Sequence, residues 1–311
     1  MRTLVTGAAG FVGANIVRRL CESGTEVVAC VRPGSDLWRL VGVDCEVRAV
    51  DLGDASAVSE LVDVADPRVI VNAAAHGAYS WQNDLDSMLA VNIAAVDHLI
   101  ELCVERGLSL LHLGSSSEYG PQIVPPTEFV RPGPNSRYAV TKLAGTHLVC
   151  DAVARRGLVG LVLRLYSVYG PWEEAARLMP TLAGAMANGR LPPLVDPDVA
   201  RDFVHVDDVV DLIASWIENP VVVEDPPIIN VGSGVQTTLR QLVGLARTVA
   251  NIDVEPQWGS MPNRSWDTTT WQADPGRAAQ LLGWRASTGL DAGLQALMDF
   301  VSEHARYRPQ P

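Results

Sequence analysis

Thr3-Leu4-Val5-Thr6-Gly7-Ala8-Ala9-Gly10-Phe11-Val12-Gly13 is the stretch that decides the fold. A short apolar run leads into glycines at positions 7, 10 and 13, and Phe11–Ser23 continues with helical periodicity. Glycine lets a backbone turn tightly, approach a pyrophosphate and pack helix on strand, while a helix N-terminus offers free N–H groups to phosphate oxygens. The plainer alternative is an ordinary βα turn. In strand–turn–helix order at the N-terminus, Gly7, Gly10 and Gly13, with Phe11 and Val12 opening the helix, predict a dinucleotide site.

Working outward, short apolar runs recur at Glu26–Val31, Val47–Val50, Val69–Ala73, Leu108–Leu113 and Leu158–Leu165. Helix-period stretches lie between them, among them Met88–Arg106 and Tyr138–Arg155. Strands alternating with helices predict an α/β fold, a doubly wound parallel sheet of Rossmann type covered on both faces. After Tyr169 prolines break the rhythm, at Pro171, Pro192-Pro193, Pro197, Pro226-Pro227 and Pro262. A smaller α+β substrate-binding portion is expected there, so that residues 1–170 form the dinucleotide-binding domain, joined by a helix near 206–219, and 171–311 the smaller one.

The 311 residues are 48% hydrophobic and 19% charged, an ordinary globular composition. A net charge of −12 is the wrong sign for docking on nucleic acid or anionic lipid, so neither partner is expected and an anionic ligand must meet local arginines. The five scattered cysteines form no C-x-x-C pair, which argues against a disulfide framework or zinc site. The histidines likewise show no H-x-H or H-x-x-x-H spacing, and no metal is expected. The opening residues lack both a basic n-region and an apolar run long enough for a span; a cytoplasmic location is expected.

The second strand, Glu26–Val31, should end beside the adenosine ribose, where an NAD site places a carboxylate. Here it runs into Arg32-Pro33. Arg32 can pair with a 2′-phosphate instead, so NADP(H) is favoured, with NAD(H) possible. Asp51, followed by Leu52 after the third strand, can accept from the adenine amino group or cap a helix. Ala73 and Ala74 close the fourth strand and complete this side of the cofactor pocket.

Tyr138 and Lys142 stand four apart on one helix face. A phenol near pKa 10 serves poorly at neutral pH, but a nearby ammonium favours the phenolate. Gly114-Ser115-Ser116-Ser117-Glu118-Tyr119-Gly120 follows the fifth strand, at the sheet edge where α/β proteins put reactive groups.

Together these segments resemble the extended short-chain dehydrogenase/reductase family, in particular its nucleotide-sugar epimerases, dehydratases and ketoreductases. Further matching elements are Leu163-Arg164-Leu165-Tyr166-Ser167-Val168-Tyr169-Gly170-Pro171, Arg201-Asp202-Phe203-Val204-His205-Val206-Asp207-Asp208 and Asn230-Val231-Gly232-Ser233-Gly234. Arg264-x-x-Asp267 is similar to the family's R-x-G-D element, with Trp266 in place of the glycine.

The resemblance implies that Ser115 polarises the sugar C4 oxygen, that Tyr138 exchanges its proton, and that Lys142 holds the nicotinamide ribose and lowers the tyrosine pKa. It implies that Tyr166 and Val168 line the nicotinamide pocket. Ser116, Ser117, Ser167, Arg201, Arg264 and Asp267 would then face the nucleotide sugar, a diphosphate-linked substrate. Trp81, in the loop after the fourth strand, would lie over the sugar, and Met88–Arg106 with Tyr138–Arg155 would pair into a homodimer interface. His205 and Asp207, at a helix entry, read as a hydrogen-bonded turn and cap.

Dehydratases of the family carry an Asp-Glu pair directly after the catalytic hydroxyl residue; here Ser116-Ser117 stand there, and hydroxyls of high pKa do not perform that acid–base pair. The 3,5-epimerising reductases need a cysteine where this chain has Ser117. The expected activity is NADPH-dependent reduction of a nucleotide-linked 4-keto-6-deoxyhexose at C4. The alternatives are a 4-epimerase with retained NAD and a nucleotide-sensing protein without catalysis, the last opposed by an intact Ser115, Tyr138 and Lys142.

Overall fold

The computed structural model describes residues 2–79, 81–223, 225–264 and 267–307; Trp266 lies outside them. Strands are β1 (Arg2–Thr6), β2 (Glu26–Val31), β3 (Glu46–Ala49), β4 (Val69–Asn72), β5 (Ser109–Ser115), β6 (Gly160–Leu165), β7 (Ser167–Tyr169), β8 (Ala200–His205), β9 (Ile228–Val231) and β10 (Gln236–Thr238). Helices are α1 (Phe11–Glu22), α2 (Ala55–Ala65), α3 (Leu85–Leu89), α4 (Ala95–Arg106), α5 (Arg137–Arg156), α6 (Leu178–Met186), α7 (Val206–Glu218), α8 (Leu239–Ala250), α9 (Gly276–Leu282) and α10 (Leu290–Glu303). A π-helical turn, Ala90–Ala94, joins α3 to α4.

Seven parallel strands form the main sheet in the order β3-β2-β1-β4-β5-β6-β9, the doubly wound arrangement expected from the sequence. Strand side chains alternate between faces, and the apolar ones sort accordingly. Val5, Val27, Ala29, Val31, Val69, Val71, Leu111, Leu113, Leu161 and Leu163 join α1 and α7 in one core. Leu4, Val28, Cys30, Ile70, Leu110 and Val162 join α2, α4 and α5 in another.

The chain after Tyr169 does not stay outside this layer. Its β8 and β10 join β7 in a three-stranded sheet and its α6, α8 and α10 enclose a third core, but α7 returns to pack on α1 and β9 pairs with β6. The smaller portion is therefore discontinuous in sequence, because β9 supplies the buried edge that β6 needs.

Candidate active site

The order reversal between β1 and β4 leaves a crevice at the carboxyl ends of the strands, and the glycine turn lies there. Gly7 has a positive φ of 65°, and a Cβ on it would come within 2.7 Å of the Ala74 backbone. A Cβ on Gly13 would come 2.3 Å from the Gly7 carbonyl oxygen. Gly10 caps α1 and supplies no side-chain acceptor to the N–H groups there. Turn, bare helix end and the adjoining Ala73-Ala74 fit a dinucleotide pyrophosphate.

Arg32 is exposed just after the end of β2. Asp51 is exposed too, its Oδ1 accepting from Gly53 N at 2.9 Å, while Leu52 packs on the core. Asp51 is not the cap of the following helix. Asp54 is, accepting from Ala57 N at 3.0 Å.

Ser115 ends β5 and caps the turn Ser116–Tyr119; its Oγ accepts from Ser117 N at 3.2 Å and lies 2.7 Å from the Ser117 hydroxyl. α5, capped by Ser136, sets Tyr138 and Lys142 on the face opposite that turn. Burial pushes the Tyr138 phenol up to about 12, against hydrogen bonding from Ser115 and the nearby Arg177, which lower it. Lys142 donates to Leu113 O at 2.7 Å and lies 3.4 Å from His112 Nε2. Burial brings Lys142 down to about 8, with the Glu118 charge opposing. Arg177, which lowers the Tyr138 pKa, was missed in the sequence.

Glu118 is the one carboxylate in the catalytic loop, and it turns inward. It is fully buried, accepting from Ser115 N at 2.8 Å and from Arg164 Nε at 2.8 Å, with Arg164 1% exposed. The guanidinium also lies 4.4 Å over the Tyr119 ring, and Tyr119 OH donates to Asn230 at 2.8 Å. Ser115 is thereby held from behind by a buried ion pair.

On the substrate side, Trp81 is 63% exposed and stacks on Tyr79 at 4.6 Å, and Arg177 lies 5.7 Å over Tyr79. Arg201, Asp267 and Arg264 come together: Arg201 donates to Asp267 Oδ1 and Arg264 N to Oδ2, each at 2.8 Å. Ser167 is half-buried at the start of β7, with Val168 next to it in that strand and Tyr166 just after β6. Ser116 is buried against a narrow cavity shared with Tyr119, Tyr166 and Trp271. His205 caps α7, its ring accepting from Asp207 N at 3.3 Å.

This cleft and the matched segments define a class: the chain belongs to the NAD dependent epimerase/dehydratase family, whose model matches residues 3–232. It is an extended short-chain dehydrogenase/reductase among NAD-dependent enzymes of nucleotide sugars. It is similar to dTDP-6-deoxy-L-talose 4-dehydrogenase (NAD(P)(+)) of Kitasatospora kifunensis, 30% identical over 91% of this chain and 90% of that one. It is 31% identical to UDP-glucose 4-epimerase of Mycolicibacterium smegmatis, over 96% of this chain and 98% of that one. Its fold matches the crystal structure of UDP-glucose 4-epimerase from Thermotoga maritima with UDP-glucose, with TM-score 0.88 and 25% identity over 97% and 99% of the two chains.

Proposed function

We propose that this protein reduces the C4 ketone of a nucleotide-linked 4-keto-6-deoxyhexose, with NADPH as reductant. The observation that carries the reading is where Glu118 points. Dehydration needs a carboxyl acid and base in the cleft; the loop's one carboxylate is locked on Arg164 and Ser115 N, and Ser116 and Ser117 offer only hydroxyls. What remains is chemistry at a single carbon. A bound reduced nicotinamide supplies hydride. Ser115 Oγ donates to the carbonyl oxygen, and Ser117 Oγ, 2.7 Å away, orients it. Tyr138, whose phenol keeps its proton at neutral pH, gives that proton to the developing alkoxide.

Arg32 supports NADPH over NADH. Arg32→Ala should weaken NADPH binding ten- to a hundredfold, about 1.5–3 kcal/mol, and leave NADH nearly unchanged. Equal losses for both cofactors in titration would overturn the assignment.

The likeness to UDP-glucose 4-epimerases favours a second reading, oxidation and re-reduction at C4 with retained NAD. Deuteride from labelled NADPH separates the two. The reductase puts it on the former ketone carbon and consumes one cofactor per turnover; interconversion of C4 epimers without absorbance change at 340 nm and without deuteride wash-in would establish the epimerase. We place the enzyme in the cytoplasm as a homodimer, with the exposed Leu89 and Val140 on the helices expected to pair.

A further inference from the structure

At the carboxyl end of the main sheet, one row of polar side chains replaces the apolar residues that face α4 and α5. Thr6 of β1 is the register partner of Asn72 of β4, and Asn72 that of His112 of β5. All three are 0–1% exposed. Thr6 Oγ1 lies 2.7 Å from Asn72 Oδ1, Asn72 Nδ2 lies 3.1 Å from His112 Nδ1, and His112 Nε2 lies 3.4 Å from Lys142 Nζ. The row begins one residue before the glycine turn and ends on the lysine of the catalytic pair.

We infer that His112 is a positioning residue for Lys142, its imidazole changing tautomer with the charge on the lysine and the Asn72 amide turning with it. The inference rests on the reading of Lys142 as part of the site. Each group in the row has limited options. A charged ammonium offers only donors, so His112 Nε2 must accept and Nδ1 carry the proton. Nδ1–H then donates to the Asn72 carbonyl, and the Asn72 NH₂ to Thr6 Oγ1. For an uncharged amine the order reverses: Thr6 donates to Asn72 Oδ1, Asn72 Nδ2 to His112 Nδ1, and Nε2–H to the lysine lone pair. Any mixture sets two donors or two acceptors face to face at buried positions, where the mismatch is costly. Between the two arrangements Lys142 releases one proton to solvent, while the imidazole stays neutral and only moves its proton from one nitrogen to the other.

Burial and the Lys142 charge both hold the His112 pKa well below its ordinary value, so the ring is neutral throughout. The other ionisable groups facing Lys142 are Glu118, from the turn after β5 and already paired with Arg164, and Tyr138, one turn earlier on α5.

The test uses the unliganded full chain labelled with 15N-histidine, followed by NMR from pH 6 to 10 and with the His112 signals identified by their loss in His112→Gln. Wild type should cross from Nδ1–H to Nε2–H with a midpoint near pH 8, and Lys142→Met should abolish the crossing. A single tautomer over the whole range, or a crossing that survives Lys142→Met, would overturn the inference. A second readout is NADPH affinity against pH. His112→Leu removes the acceptor, so the affinity should fall off at a pH about one unit lower, a tenfold loss on the alkaline side, and His112→Gln, which keeps a carbonyl acceptor, should restore it. A structural role alone would weaken both variants at every pH. The tautomer readout needs neither cofactor nor sugar substrate, so a wrong choice between reductase and epimerase leaves it intact.

Discussion

Tyr138→Phe is expected to lower turnover by about a hundredfold or more while leaving folding and cofactor binding near normal. The substitution removes one oxygen from a half-buried ring and leaves α5 and its Ser136 cap as they are. No other described group in the cleft has the same qualifications. Ser115 and Ser117 are alcohols of much higher pKa, Glu118 is turned away, and Lys142 is held on Leu113 O and His112. Ser115→Ala should be milder than Tyr138→Phe, because the Ser117 hydroxyl already lies 2.7 Å from Ser115 Oγ and can take over part of its hydrogen bonding. Steady-state turnover on the 4-keto sugar, with cofactor affinity and thermal unfolding measured beside it, checks both. A phenylalanine variant that retains most of its turnover shows that Tyr138 is not the proton donor.

The fold and the front of the site were legible in the sequence, for physical reasons that can be named. β2 runs over the residues its apolar run predicts, and β1 and β4 end within a residue or two of theirs, because strands covered on both faces must be apolar throughout. The glycine spacing marks the cofactor crevice because a Cβ at Gly7 or Gly13 has no room. The back of the site was harder to read. Arg164 and Glu118 both stood in quoted motifs, yet neither was read as a partner of the other, since they are 46 residues apart and meet only through the pairing of β5 with β6. A signal was present: an arginine inside a buried parallel strand demands a buried anion. The same logic applies to His112 in β5. Arg177 gave no such signal, because it sits at the start of α6 in a loop-rich region and reaches the cleft through tertiary packing. The end of β9 stood in the quoted motif at Asn230-Val231, but Ile228–Val231 was not read as a strand of the main sheet because it is short and preceded by two prolines, which read as a break.

Glu118→Ala should cost about 3–5 kcal/mol of stability, since it leaves the Arg164 charge buried without its anion. The neighbourhood cannot easily absorb the loss. Arg164 is 1% exposed, its Nη1 already lacks a hydrogen-bond partner among the described residues, and its remaining attraction is to the face of Tyr119, worth about 2 kcal/mol when desolvated. Replacing both charges by apolar side chains, Glu118→Leu with Arg164→Met, should recover most of that stability, because two desolvation costs disappear together. Turnover should not recover. Ser115 N would still lack the Glu118 Oε1 acceptor at 2.8 Å, and the turn that presents the Ser115 hydroxyl would lose its anchor. The double variant therefore separates the pair's two effects: urea unfolding reports on burial, kcat on the placement of Ser115. A single variant that unfolds within about 1 kcal/mol of wild type would mean that water or a rearranged side chain reaches Arg164. A double variant with full turnover would mean that Ser115 needs no support from Glu118.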